Sequence, residues 1–263
     1  MKESTKLIEH FLAGYNEKLG ATYSLTEVPD EMERHRPAID GVATDALGGK
    51  LAIEHTLLQP YEGYLEELIR LGIVFDRLWR DPIFRLPNHE FVILLPSRCV
   101  PAGVDWKNAS DLLASWFLKN APGFPPGTSK HIISDVPFHL ELEVENTCPS
   151  FWPEGRVFVS LPKPAGPYKT VISRALSEKS AKLANTPADR RVLLFERVDV
   201  IRGYVEICES VDEMKGSFSQ MNDIDAIWVA EQITENGATT TFFMKIWPGG
   251  VGEKFKVTAC STN

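Results

Sequence analysis

The sequence predicts an α/β fold in which a mixed β-sheet is flanked by helices. Strand-like runs alternate with stretches of helical periodicity along the chain, the pattern of helices packed on a sheet. Gly48-Gly49 separates two strand-like arms, so an antiparallel hairpin belongs to that sheet. The 263 residues are 43% apolar, enough for a sizeable buried core. At about 150 residues per domain the length admits one large or two small domains. One domain over 1–263 is expected, with a core in residues 1–100 and a sheet-completing half in 101–263.

Leu7, Ile8, Phe11, Leu12, Tyr15 and Leu19 recur at helical spacing, and Gly20 stands where a helix stops. Residues 23–28 alternate as a strand, and Pro29-Asp30-Glu31 opens a polar connection. Residues 38–44 and 50–58 then form the two arms of the hairpin. Tyr61, Tyr64, Leu65, Leu68 and Ile69 begin a helix that Asp81-Pro82 ends. Residues 91–95 make a short apolar strand, and 110–118 a helix capped by Asn108 or Ser110. The stretch 120–137 carries Pro122, Pro125, Pro126 and Pro137 and predicts a long loop or lid. Strands follow at 138–145 and 156–161, a helix at 168–183, a strand at 191–196 and a helix at 203–218. Strands at 226–231 and 239–246, joined through Glu235-Asn236-Gly237, finish the fold.

With 28 basic and 36 acidic side chains the formal charge is −8, which disfavours a general phosphate-binding coat and leaves room for a local basic groove. Cys99, Cys148, Cys208 and Cys260 are widely separated and form no zinc-finger grouping. No apolar run approaches the roughly 18 residues of a membrane span, and the amino terminus is amphipathic, so a cytoplasmic setting is expected. The Walker, GxGxxG, GxSxG and HExxH patterns do not occur.

Strand alternation puts Glu54 and Thr56 on one face and His55 on the other. Asp40 lies on the opposite arm, and a turn centred near residues 47–49 sets it against residue 55, 56 or 57, close to Glu54. Two neighbouring carboxylates repel, and a divalent cation, a shared proton or solvent relieves the repulsion. Magnesium suits hard oxygen ligands and can activate water against a phosphodiester.

The segment Arg36-Pro37-Ala38-Ile39-Asp40, thirteen intervening positions and Ile53-Glu54-His55-Thr56 resembles the motif of the PD-(D/E)XK nuclease superfamily. The resemblance covers about the first 100 residues. It implies a restriction-endonuclease-like αβββαβ core, with Asp40 and Glu54 as ligands of Mg2+ or Mn2+ and nucleic acid as the partner. Glu9 resembles an acidic residue that some members carry on the opening helix, and Gln59 a glutamine that others place after the motif. The departure is Thr56, which stands where the family has lysine; a hydroxyl cannot position or deprotonate water as an amine does. Lys50 shares the strand face, but four residues span about 13 Å. Lys179 and Lys182, three residues apart on one helix face near Arg174 and Glu178, are the preferred replacements. The expected function is a metal-dependent nuclease; the alternative is a catalytically silent module of the same fold that binds nucleic acid or a protein.

Other groups carry less information. His139, Glu141, Glu143 and Glu145 alternate with apolar residues as the wet face of a strand. His55 is expected to be buried and hydrogen-bonded, and His10 beside Glu9 gives no further signal. Arg34, His35 and Arg36 would add positive potential beside Asp40. Trp79, Trp106, Trp116, Trp152, Trp228 and Trp247 are assigned mostly to packing.

Overall fold

A computed structural model describes residues 3–32, 38–96, 99, 103–146, 153–160, 168–198, 204–214, 219–235 and 238–260. The chain divides into two compact units, one formed by Met1–Pro60 with Gly166–Asn263 and the other by Tyr61–Ala165, where the sequence suggested one domain. In chain order the first unit opens with α1 (Glu3–Leu19), β1 (Ser24–Glu27), α2 (Pro29–Met32), β2 (Gly41–Thr44) and β3 (Lys50–Leu58). The second unit holds α3 (Tyr64–Arg80), β4 (His89–Leu94), α4 (Trp106–Asn120), β5 (Gly127–Ile132), β6 (His139–Asn146) and β7 (Arg156–Ser160). The first resumes with α5 (Tyr168–Ala184), β8 (Arg190–Arg197), α6 (Tyr204–Met214), β9 (Ala226–Glu235), β10 (Ala238–Trp247) and β11 (Lys254–Cys260).

The first unit is built on a seven-stranded mixed sheet in the order β1-β2-β3-β8-β9-β10-β11. β3, β8 and β9 run parallel, and the strands outside them pair antiparallel. Period-two alternation divides β3 between two cores. Leu51 and Ile53 meet Leu7, Ile8 and Phe11 of α1, whereas Ala52 and Leu58 meet Ile172 and Leu176 of α5 and Ile207 and Val211 of α6. Val192, Leu193, Leu194 and Phe195 of β8 are buried on both faces, as a central parallel strand requires. The Tyr168 hydroxyl donates to the Leu58 carbonyl at 3.0 Å, so the end of β3 and the start of α5 are tied together although 110 positions separate them.

The second unit has a four-stranded sheet, β5-β6-β4-β7, with α3 and α4 contributing to its apolar core. Phe91, Ile93, Leu140, Leu142 and Val144 pack there with Leu71, Phe75, Leu113 and Phe117 of the helices.

Several expectations are corrected. The helix and strand after the hairpin do not complete a core within the first 100 residues. They become α3 and β4 of the second unit, and the neighbour of β3 is β8. The physical reason lies in burial, since β4 alternates between buried and half-buried positions while β8 is apolar enough to be covered on both sides. The stretch 120–137 is no continuous loop: a 3-10 turn at Ala121–Gly123 leads to β5, which pairs antiparallel with β6. Pro122, Pro125 and Pro126 precede the strand and Pro137 follows it, and the polar, largely exposed side chains of β5 give no apolar alternation. The cap of α4 is Asp105, whose Oδ1 accepts from the Asn108 backbone N–H at 3.0 Å. β11 and the short α2 are additional elements. The end of the expected 203–218 helix and the Asn236-Gly237 turn lie outside the described residues, although Glu235 pairs with Ala238. Among the described residues no helix is long and apolar enough to cross a membrane.

Two helical glycines separate packing from propensity. A Cβ on Gly14 of α1 would lie 2.3 Å from the Phe255 ring, whereas one on Gly72 of α3 meets nothing within 4 Å. Gly14→Ala should lower stability by about 1–3 kcal/mol through overpacking despite its better helix propensity. Gly72→Ala should raise stability by about 0.4–1 kcal/mol. Urea unfolding of the two variants checks the opposite signs.

Candidate metal centre

The hairpin is fixed at its turn. Asp45 Oδ1 accepts from the Leu47 and Gly49 backbone N–H groups at 2.8 Å each, and Gly48 takes the left-handed conformation at φ 87°. This clamp pairs Thr44 with Lys50 and Gly41 with Ile53. One step further along that register, Asp40 falls beside Glu54, so the expected partner at 55, 56 or 57 is corrected to Glu54 itself. The Asp40 carboxylate also takes a place in the ladder, because its Oδ2 accepts the His55 backbone N–H at 2.8 Å.

Glu54 is completely buried. A buried carboxylate needs a charged or hydrogen-bonding partner, and α5 supplies two. Lys179 Nζ donates to Glu54 Oε1 at 2.8 Å and Lys182 Nζ to the same oxygen at 3.1 Å. Lys182 also donates to the Ala38 carbonyl at 3.1 Å. Ile172, Leu176 and Leu183 form the core-facing stripe of α5, and Lys179 occupies the position of that stripe between Leu176 and Leu183. Glu54 Oε2 is buried with no hydrogen-bond partner among the described residues.

Burial raises the Glu54 pKa above the ordinary carboxylate value, and the Asp40 charge adds to the rise; the Lys179 hydrogen bond and the Lys179 and Lys182 charges act against it. For Lys179, burial acts to lower the pKa, but the Glu54 hydrogen bond and charge, with Asp40 and Glu178, outweigh it and leave the value raised. The ammonium of Lys179 is therefore held charged beside the two carboxylates.

The structure brings together Asp40, Glu54, Lys179 and Lys182. Thr56 lies on the Glu54 face of β3, two residues on and half-buried. Glu9 is not brought to the pair: it is exposed on α1, whose core residues pack against the other face of the sheet, and no hydrogen bond or ion pair joins it to Asp40 or Glu54 among the described residues. Lys50 is exposed at the turn end of β3, and Gln59 follows the strand's other end. His55 turns to the opposite face, as alternation requires, and its Nε2 lies 2.9 Å from Glu196 Oε2. Arg34, His35, Arg36 and Pro37 lie outside the described residues, as does Trp152.

The wet-face reading fits β6, where Leu140, Leu142 and Val144 are buried and His139, Glu141, Glu143 and Glu145 are at least partly accessible. Burial pushes the Cys99 thiol up to about 12, with Glu67 adding to the rise, and burial also raises Cys208, so neither is a ready thiolate.

Two contributors escape a reading of side chains. They are backbone groups, the Ala38 carbonyl and the His55 N–H, and no residue-type pattern marks them. Lys179 does leave a signal, a charge at a core-facing position of an amphipathic helix.

Glu54 Oε2 and Asp40 Oδ1 accept no hydrogen bond from the described residues. Two carboxylates suit a magnesium ion whose other ligands are waters and substrate phosphate oxygens. Among the described residues no group of three or more His, Cys, Asp or Glu side chains forms an all-protein metal cage. No family model, curated protein or solved structure matches the chain.

Lys179→Ala should destabilise the fold by about 1–3 kcal/mol, because it leaves a buried acceptor without its nearest donor. The raised pKa means that the folded state holds the Glu54 proton more tightly than the unfolded chain. Glu54 therefore favours folding below the ordinary carboxylate pKa, and that contribution is lost as pH rises through the raised folded value. Lys179 offsets that loss only while Glu54 is ionised. The difference between wild type and Lys179→Ala should be largest at neutral pH and shrink as pH falls through the Glu54 titration, which denaturant unfolding at a series of pH values measures.

Proposed function

We propose that the protein is a magnesium-dependent nucleic-acid phosphodiesterase built on a restriction-endonuclease-like core, with the second unit inserted between the third strand and second helix of that core. The order α1, β1, β2, β3, α5, β8 supports the reading, with β1-β2-β3 antiparallel and β8 parallel to β3. The observation that carries it is the Glu54 carboxylate: fully buried, beside Asp40, and holding one oxygen without a partner among the described residues while two ammonium groups occupy the other. That arrangement carries a desolvation cost that packing alone does not require.

In this reading Asp40 Oδ1 and Glu54 Oε2 would hold the ion. A bound Mg2+ supplies Lewis acidity toward a phosphate oxygen and lowers the pKa of a bound water. The two lysines favour the anionic form of Glu54, and Asp40 is oriented by the His55 N–H. Lys179 stands in for the lysine absent at Thr56 and places a proton donor and positive charge beside the reacting oxygens. The partner is nucleic acid engaged through local positive charge, in a cytoplasmic setting.

A second reading is a silent module of the same fold that binds nucleic acid or a protein. Thr56 favours it, as do the two Lys–Glu ion pairs, which neutralise Glu54 without a cation.

Incubation of labelled single- and double-stranded DNA and RNA with Mg2+ or Mn2+ separates the two. Catalysis predicts cleavage that chelation abolishes, with Asp40→Asn and Glu54→Gln each lowering the rate by roughly 100-fold or more. Cleavage unchanged in both variants rejects the proposed site, and binding without cleavage under every metal condition selects the silent module.

A further inference from the structure

The two lysines on Glu54 are not equivalent. Lys179 Nζ reaches Glu54 Oε1 and no other acceptor among the described residues, whereas Lys182 Nζ spans Glu54 Oε1 and the Ala38 carbonyl, both at 3.1 Å. Ala38 stands two residues before Asp40. The segment that presents Asp40 is held at three successive residues: Ala38 by Lys182, Ile39 by a backbone bond from Asp30 N at 3.3 Å, and Asp40 by His55 N at 2.8 Å. Only the first of these is made by a side-chain donor, and only that donor also touches Glu54.

We infer that Lys182 is a positioning residue for the cation: it ties the strand that carries one carboxylate to the loop that carries the other and sets their separation. Lys179 is the lysine left for the reacting atoms. The assignment rests on the metal-binding reading given above and divides two residues which that reading treats together.

Electrostatics and positioning make opposite predictions, which gives the inference its test. Each ammonium repels a divalent cation, so charge alone makes removal of either lysine tighten cation binding. If Lys182 sets the geometry, its removal weakens binding, because loss of the group that orients a ligand typically costs 10- to 100-fold in metal affinity.

Mn2+ binding to the full-length protein, followed by electron paramagnetic resonance of the free ion, requires no substrate and no turnover. Lys182→Met should weaken Mn2+ binding by about tenfold or more. Lys179→Met should leave it equal to wild type or tighter, and Lys182→Arg, which keeps charge and donors, should recover most of the affinity. If Lys182→Met does not fold, Lys182→Gln keeps a shorter donor and should also weaken binding.

Binding to folded Lys182→Met or Lys182→Gln that equals or exceeds wild type overturns the assignment while the metal site stands, provided Asp40→Asn weakens binding. Loss in Lys179→Met equal to that in Lys182→Met overturns the division between them. Wild-type protein that takes up no Mn2+, or uptake unaffected by Asp40→Asn, rejects the metal-binding reading itself and this inference with it.

Discussion

The first unit is organised around the contact between one buried carboxylate and two ammonium groups that come from a helix 125 and 128 positions away. An ionised Glu54 without partners would be intolerable in an interior where most neighbours are aliphatic. Its presence therefore constrains the packing of α5 on β3 beyond what apolar contact demands. The helix must present Lys179 within the stripe formed by Ile172, Leu176 and Leu183, and sliding it by a turn would bury the carboxylate against hydrocarbon. The apolar cores on the two faces of the sheet provide most of the cohesion. The ion pairs select one register of helix on sheet.

The same contact links fold to chemistry. Burial and a like charge make the Glu54 carboxyl hold its proton more tightly, and the two ammonium groups act the other way. Asp40 contributes to that balance because the turn at Asp45 fixes the hairpin register that places it beside Glu54. A tight turn that ends five residues before Glu54 thus acts on the electrostatics of a group at the strand's middle.

Much of this was legible in the sequence, and the losses have physical causes. The hairpin, its two faces and the pairing of Asp40 with the Glu54 region follow from Gly48-Gly49 and a period of two, although counting through the turn missed the clamp by Asp45 and so displaced the register. Helical spacing puts Lys179 and Lys182 on one face, but that this face meets Glu54 depends on how α5 packs on β3, which spacing does not show. Which strand would lie beside β3 was not legible, since both 91–95 and 191–196 are short apolar runs. Their difference, burial on one face against burial on two, is a tertiary property. The roles of the Ala38 carbonyl and His55 N–H were invisible for a simpler reason: every residue has those groups.

The Tyr168–Leu58 hydrogen bond gives the molecule a further property. It fastens the exit from β3 to the entry of α5, so more than a hundred residues depart and return at one stitched seam. Chain-closure entropy grows only with the logarithm of contour length, about 0.6 kcal/mol per doubling, so the seam is nearly indifferent to what is spliced into it. Chain entropy therefore sets little limit on how many residues leave and return between Leu58 and Tyr168.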